Sequence, residues 1–261
     1  VDRGLDGVLG VAVKDLTTGA TVAVREHEVF PQASSIKLAV LYELYRQAEE
    51  GRLELGETTR PALPRVTGGG VLQVLGDRVS LTWRDLAVLM MGWSDNEATN
   101  LLVDRVGMEA VNRRLDRLEL PRTRLRRKMM DLDAARQGRE NVSTPSEMLR
   151  LVEALYRGAV LSPARAQDLL EAMSVEKDSP FRLPLPAGLR VADRPGGLEG
   201  VRCVSAVVDL PGRPYAAAIM TTYLRRDEDG EAAIRAISAA LFETFDRLAR
   251  ASEHGRIVSE R

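Results

Sequence analysis

Phe30-Pro31-Gln32-Ala33-Ser34-Ser35-Ile36-Lys37 is the stretch from which the fold of this chain is read. A turn-like Phe-Pro lead runs into Ser34, and a lysine follows three residues later, where a strongly apolar helix begins. Residues three apart share a helix face, so the spacing predicts the Lys37 amine over the Ser34 hydroxyl. The helix N-terminus adds unpaired backbone N–H groups and a dipole that favour negative charge, such as a developing oxyanion. The same residue types also suit a plain structural role, with Ser34 or Ser35 as an N-cap and Lys37 as a solvated side chain. The rest of the chain has to separate the two.

The chain has 261 residues, 44% apolar and 29% charged, which is the composition of a globular protein with room for a sizeable core. A formal net charge of -1 gives no electrostatic reason to expect nucleic acid or an anionic membrane as partner. The basic run Arg122 to Lys128 reads as a solvated face. Cys203 is the only cysteine, so an internal disulfide and a thiolate metal cage are excluded, and its apolar setting reads as a buried small hydrophobe. With only His27 and His254, a Ser-His-Asp arrangement or a histidine-rich metal site is not expected. Serine chemistry in this chain needs another base. No stretch reads as a bilayer span or a signal peptide, and a first residue of Val1 rather than Met is compatible with processing or trimming.

Working outward, Val8 to Lys14 and Thr21 to Arg25 flank a turn at Asp15 to Ala20 and predict a β-hairpin. From Ser34 to about Glu50 apolar residues fill most of the surface of one helix, which is therefore expected to be buried, with Gly51 as its stop. Gly56 to Gly76 is irregular by composition, with Pro61, Pro64 and the triplet Gly68-Gly69-Gly70, which lacks the Lys-Ser/Thr of a phosphate loop. Thr82 caps the next helix. Ser94-Asp95-Asn96 then interrupts the pattern, either as another cap or with Ser94 and Asn96 facing one cleft, and helices follow at Glu97 to Gly107 and Glu109 to Leu118. Arg122 to Gly138 is irregular, Thr144-Pro145 opens a helix, and Ser162-Pro163 opens another that ends near Val175. Val201 to Leu210 and Tyr215 to Thr222 predict two strands, and Glu228 to about Arg250 a helix with a wide apolar stripe. Strands at both ends and helices between them predict an α/β (α+β) fold: one antiparallel sheet built from 1–31 and 186–261 with flanking helices, and an inserted helical domain over 32–185, the site lying in the cleft between.

Three elements in chain order, Ser34-Ser35-Ile36-Lys37, Ser94-Asp95-Asn96 and Val191-Ala192-Asp193-Arg194-Pro195-Gly196, resemble the signature set of the class A serine β-lactamases and the related penicillin-binding proteins. The likeness extends to the Phe-Pro lead, the Thr144-Pro145 helix start and the order of strands and helices. It implies Ser34 as nucleophile, and Lys37 either as general base or as a charged anchor. Ser94 would relay a proton to the leaving nitrogen, and Asn96 would hold Lys37 and a substrate amide. The oxyanion hole would be the backbone N–H groups of Ser34 and Gly197. Arg194 stands for the family's lysine and, with Gly196, Gly197 and Arg202, would bind substrate. The resemblance also implies a small-molecule β-lactam, peptide or ester substrate, no metal or organic cofactor, a monomer and an exported location.

Two departures qualify this. Pro195 stands where the family has threonine or serine, and proline offers neither the hydroxyl that binds a β-lactam carboxylate nor an N–H. Arg202 is then either a substitute carboxylate ligand or an exposed strand arginine. The second departure is in the loop from Arg126 to Asn141, which has no Glu-x-x-x-Asn to position the water that frees the acyl-enzyme. Asp131 lies nearest that place, and Asp133 with Gln137 is a shorter imitation. The expectation is an acyl-enzyme at Ser34 that hydrolyses β-lactam amides, with slow release. The alternatives are a penicillin-recognising D,D-peptidase or esterase on the same scaffold, or a non-catalytic β-lactam-binding protein.

Overall fold

The computed structural model describes residues 1–62, 65–76, 78–252, 254 and 255. Pro64, in the segment read as irregular, and the last six residues of the sheet part lie outside them. Among the described residues nine strands occur in chain order: β1 (Val8–Asp15), β2 (Thr21–Val24), β3 (Phe30–Pro31), β4 (Thr58–Thr59), β5 (Leu81–Thr82), β6 (Val142–Ser143), β7 (Val191–Leu198), β8 (Val201–Val208) and β9 (Tyr215–Thr222). Five of them form one antiparallel sheet in the order β2-β1-β9-β8-β7, so the two chain ends meet at the β1–β9 ladder. Asp15 sets the first hairpin by accepting the N–H groups of Thr17 and Thr18 on its carboxylate. A two-residue turn at Glu199 and Gly200, with Gly200 at φ +71°, joins β7 to β8.

Both faces of the sheet are covered at β9, which is why Tyr215 to Met220 is apolar without alternation. Successive residues on a strand point to opposite faces. On one face Val204, Ala206, Tyr215, Ala217 and Ile219 pack with Ile234 and Phe245 of the last helix, α8 (Asp227–Ala249). Tyr215 stacks on Phe245 with ring centroids 4.3 Å apart. On the other, Cys203, Val207, Ala216, Ala218 and Met220 join the larger cluster formed with the helices.

Those helices are α1 (Lys37–Glu49), α2 (Trp83–Gly92), α3 (Asn96–Val106), α4 (Met108–Arg117), α5 (Leu132–Arg136), α6 (Pro145–Arg157) and α7 (Pro163–Ser174). As its composition predicts, α1 is buried almost all round and packs among α3, α4, α6 and α7. Ile36, Leu38, Leu41 and Leu44 are fully buried, each stabilising the fold by about 1.5–3 kcal/mol. Three helix starts match their sequence signals. Thr82 and Asp85 form a reciprocal capping box on α2, Asp95 caps α3 through Ala98 N–H, and Thr144 caps α6 with Pro145 in its first turn.

Two readings are corrected. The helix does not start as an α-helix at Ser34: Ala33–Ile36 is a 3₁₀ turn, and α1 starts at Lys37. No side chain caps either element, so neither serine is an N-cap. Nor is Arg122 to Lys128 a uniformly solvated face. Thr123, Leu125 and Arg127 within it are buried, as is Met129 just beyond it, and Arg127 donates through Nε and a terminal nitrogen to the carboxylate of Glu140.

Candidate active site

The 3₁₀ turn is held in place by what surrounds it. Gln32 N–H donates to Asn141 O, just after β3 pairs with β6. Behind the turn lies β7, an edge strand of the sheet. Ser35 Oγ donates to Arg194 O at 2.8 Å, and Arg194 donates from Nε to Ser34 O at 3.3 Å and from a terminal nitrogen to Met91 O at 2.8 Å. Gly196 is required by this contact. A Cβ there would lie 2.8 Å from Gln32 O, Ser34 N and Ser35 N, all backbone atoms that cannot swing away. Ala33 adopts φ +43°, a left-handed conformation that turns the chain from β3 into the 3₁₀ turn.

The second element is set by its own unusual backbone. Ser94, at φ +55°, turns the chain out of α2 so that Ser94 and Asn96 both face α1. Asp95 points the other way, fully buried, and accepts Ala98 N–H and Leu72 N–H. Gly70, at φ +95°, lies so close that a Cβ would sit 2.4 Å from Asp95 Cα. The glycine triplet is therefore the rear wall of this turn, a role unrelated to phosphate, and Thr67 O accepts from Asn96 Nδ2.

Ser34, Lys37, Ser94 and Asn96 come together as predicted, with one change in order. Lys37 Nζ donates to Ser94 O at 2.7 Å, Ser94 Oγ at 3.1 Å and Asn96 Oδ1 at 3.1 Å. Ser34 Oγ and Ser94 Oγ are 3.0 Å apart. No hydrogen bond joins Lys37 to Ser34 directly, so Ser94 bridges them. Lys37 has no exposed surface. Burial first, and the nearby Arg194 charge second, hold its pKa well below the ordinary lysine value, with Asp95 opposing. Arg194, also buried, is drawn down to about 10, which leaves it charged at neutral pH.

Ser34, Ser94, Asn96 and Arg194 open on a cleft of about 740 Å³, with Lys37 behind them, and the cleft is also lined by Gly196, Gly197, Arg202 and the 127–141 loop. Arg202 is neither an exposed strand arginine nor a free one: it is half-buried, ion-paired to Asp227 and Glu231 of α8, and donates to Leu198 O and Val201 O. The loop places Arg127, Met129, Met130, Leu132 and Asn141 on the cleft. Met129 is clamped by Asn100, whose side chain bonds both its N–H and its C=O. Asp131, predicted nearest the chemistry, is not brought there. It is exposed, it accepts Ala134 N–H as the cap of α5, and it does not line the cleft. Asp133 is exposed and paired with Arg136. The sequence reading also passed over Trp93, Asn100 and Lys177. Trp93 and Lys177 line the cleft, and Asn100 acts through Met129; no local pattern distinguishes these three from ordinary surface or core residues. Among the described residues no group of three or more His, Cys, Asp or Glu could hold a metal, and no helix is long and apolar enough to cross a membrane.

A family model described as the β-lactamase enzyme family matches residues 3–245. The chain belongs to that family. A β-lactamase of Streptomyces cellulosae is 32% identical over 231 residues, covering 85% of this chain and 74% of the relative. Among solved structures, an ancestral class A β-lactamase superposes with a TM-score of 0.86 at 28% identity, over 94% of this chain and 96% of that one. A glutamate-for-leucine variant of PBP-A, solved as its acyl-enzyme complex with penicillin G, gives 0.85 at 27% identity over 94% and 93%. The chain is thus a hydrolase of the class A β-lactamase fold with both β-lactamase and penicillin-binding relatives.

Proposed function

We propose that this β-lactamase-family protein is a serine acyl-transfer enzyme that takes β-lactam amides onto Ser34 and releases the acyl group slowly. The observation that carries this reading is the Ser34–Ser94–Lys37 chain of contacts at 3.0 and 3.1 Å, ending on a buried amine of lowered pKa. Ser34 Oγ attacks the carbonyl as its proton passes to Ser94 Oγ, whose own proton passes to Lys37 Nζ once that amine has lost a proton and accepts from Ser94 instead of donating to it. As the carbon–nitrogen bond breaks, the proton returns through Ser94 to the leaving nitrogen. The N–H groups of Ser34 and Gly197 are the proposed oxyanion donors, each contributing about 10²–10³ in rate. Asn96 and Arg194 are positioning groups for Lys37 and for the turn. The catalytic part sits between a sheet portion (1–31 with 186–261) and a helical portion (32–185), the division we favour.

Slow release follows from the loop. Its cleft-lining residues Arg127, Met129, Met130, Leu132 and Asn141 include no carboxylate to activate water, and the carboxylates that do line the cleft, Glu176, Asp178 and Glu231, lie outside this loop. The same absence favours a second reading, a penicillin-recognising D,D-peptidase or esterase, whose acyl group leaves to another acceptor. A non-catalytic binding protein would have no use for the hydroxyl relay. Asp131→Asn keeps the cap and is expected to leave both formation and release of the adduct unchanged; slower release on intact-mass time courses would return Asp131 to the mechanism. For release itself, turnover of a chromogenic cephalosporin is expected to show a burst of about one equivalent followed by a slow phase. Sustained turnover in the usual enzyme range, roughly 1–10³ s⁻¹, would overturn slow release.

A further inference from the structure

Resting on the acyl-serine reading, we propose that acylation of Ser34 is independent of a carboxylate on the substrate, the preferred acyl donor being an ester or amide with an apolar acyl group. Of the five cations that line the cleft among the described residues, four are held by hydrogen bonds within the protein, and Arg235 has only a longer ion pair. Arg202 is held by Asp227 and Glu231, and Arg127 by Glu140. Lys177 donates to Met173 O, Asp193 O and the Asp193 carboxylate, which Arg182 and Ser179 also hold. Arg235 lies 3.9 Å from Glu231. Arg194 is only 3% exposed and donates to Ser34 O and Met91 O.

The groups left over point the same way. Glu176 and Asp178 line the cleft, and among the described residues neither has a hydrogen bond or an ion pair, so their charge repels a substrate carboxylate. Pro195 brings neither a hydroxyl nor an N–H to the strand beside the nucleophile. Against this, Trp93, Met130, Leu132 and Leu183 present apolar surface to the cleft while 50%, 40%, 52% and 66% exposed. Covering them with an apolar acyl group removes that area from water, and aromatic Trp93 offers a flat face for a ring. The step itself is ordinary acyl transfer: the Ser34 Oγ–carbonyl bond forms, the carbon–oxygen or carbon–nitrogen bond breaks, and the serine proton ends on the leaving atom.

The test compares benzylpenicillin with its methyl ester on the wild-type protein, following the Ser34 adduct by intact mass. A site built to hydrogen-bond a group rejects an analogue lacking it by about 10⁴–10⁵. Here the two rate constants are expected to agree within about tenfold. A preference for the acid beyond about 10²-fold would overturn carboxylate independence while leaving the acyl-serine reading intact. Failure of both compounds to add to Ser34 would overturn that reading instead. Pro195→Thr is expected to move the ratio toward the acid, and an unchanged ratio would remove Pro195 as its cause.

Discussion

Replacement of Ser34 by alanine is expected to abolish covalent capture of penicillin completely and to leave the fold intact. Among the described residues the hydroxyl has a single partner, Ser94 Oγ at 3.0 Å, so its loss costs no more than about 1 kcal/mol. The turn that carries it is held by the main chain, through Ser35 N–H to Gln32 O and through β7, none of which involves the Ser34 side chain. Ser35, the neighbouring hydroxyl, cannot substitute. It is fully buried, donating to Arg194 O, and it accepts from Cys203. A thermal melt close to wild type together with no mass increase is the expected pair of results; an undiminished adduct would place the nucleophile elsewhere.

Lys37→Ala is the second large effect. Taking the general base out of a relay lowers acylation by about 10²–10⁴. It also leaves Ser94 O, Ser94 Oγ and Asn96 Oδ1 without their shared donor, so some loss of stability accompanies the loss of rate. The wild-type rate should rise with pH as the amine loses its proton and level off above its folded pKa. Because burial and the Arg194 charge depress that pKa, the rise falls below the ordinary lysine range. The alanine variant is expected to lose that limb. Stability has the same sign: between the folded and unfolded pKa values the unfolded chain binds more protons, so Lys37 makes stability rise with pH across that window. That gain is lost as pH falls through the folded value. A rate profile unchanged by the substitution would make Lys37 an anchor and not a base.

How far these features could be read from the sequence depended on how local their causes are. The hairpin at Asp15, the capping box at Thr82 and the Pro145 helix start depend on residues within a few positions of one another, and they were read nearly to the residue. Ser34, Lys37, Ser94 and Asn96 were legible because each lies in a short motif. What the motifs did not carry was the order of contact: Lys37 reaches Ser34 through Ser94, in a turn where Ser94 takes a positive φ and Gly70, distant in sequence, packs against Asp95. Asp131 was placed by its position in the loop, whereas its direction is decided by the cap it gives to the short helix α5. The alternation of Thr123, Leu125, Arg127 and Met129 was present in the sequence but hidden by the charge at Arg127, which is buried with Glu140 as its ion-pair partner.

The most direct test of the account is peptide-mapped mass spectrometry of the protein after brief contact with benzylpenicillin. The prediction is one equivalent of penicilloyl group on the peptide that contains Ser34, still present long after free penicillin has been removed. An unmodified Ser34 with every β-lactam and activated ester tried would contradict it.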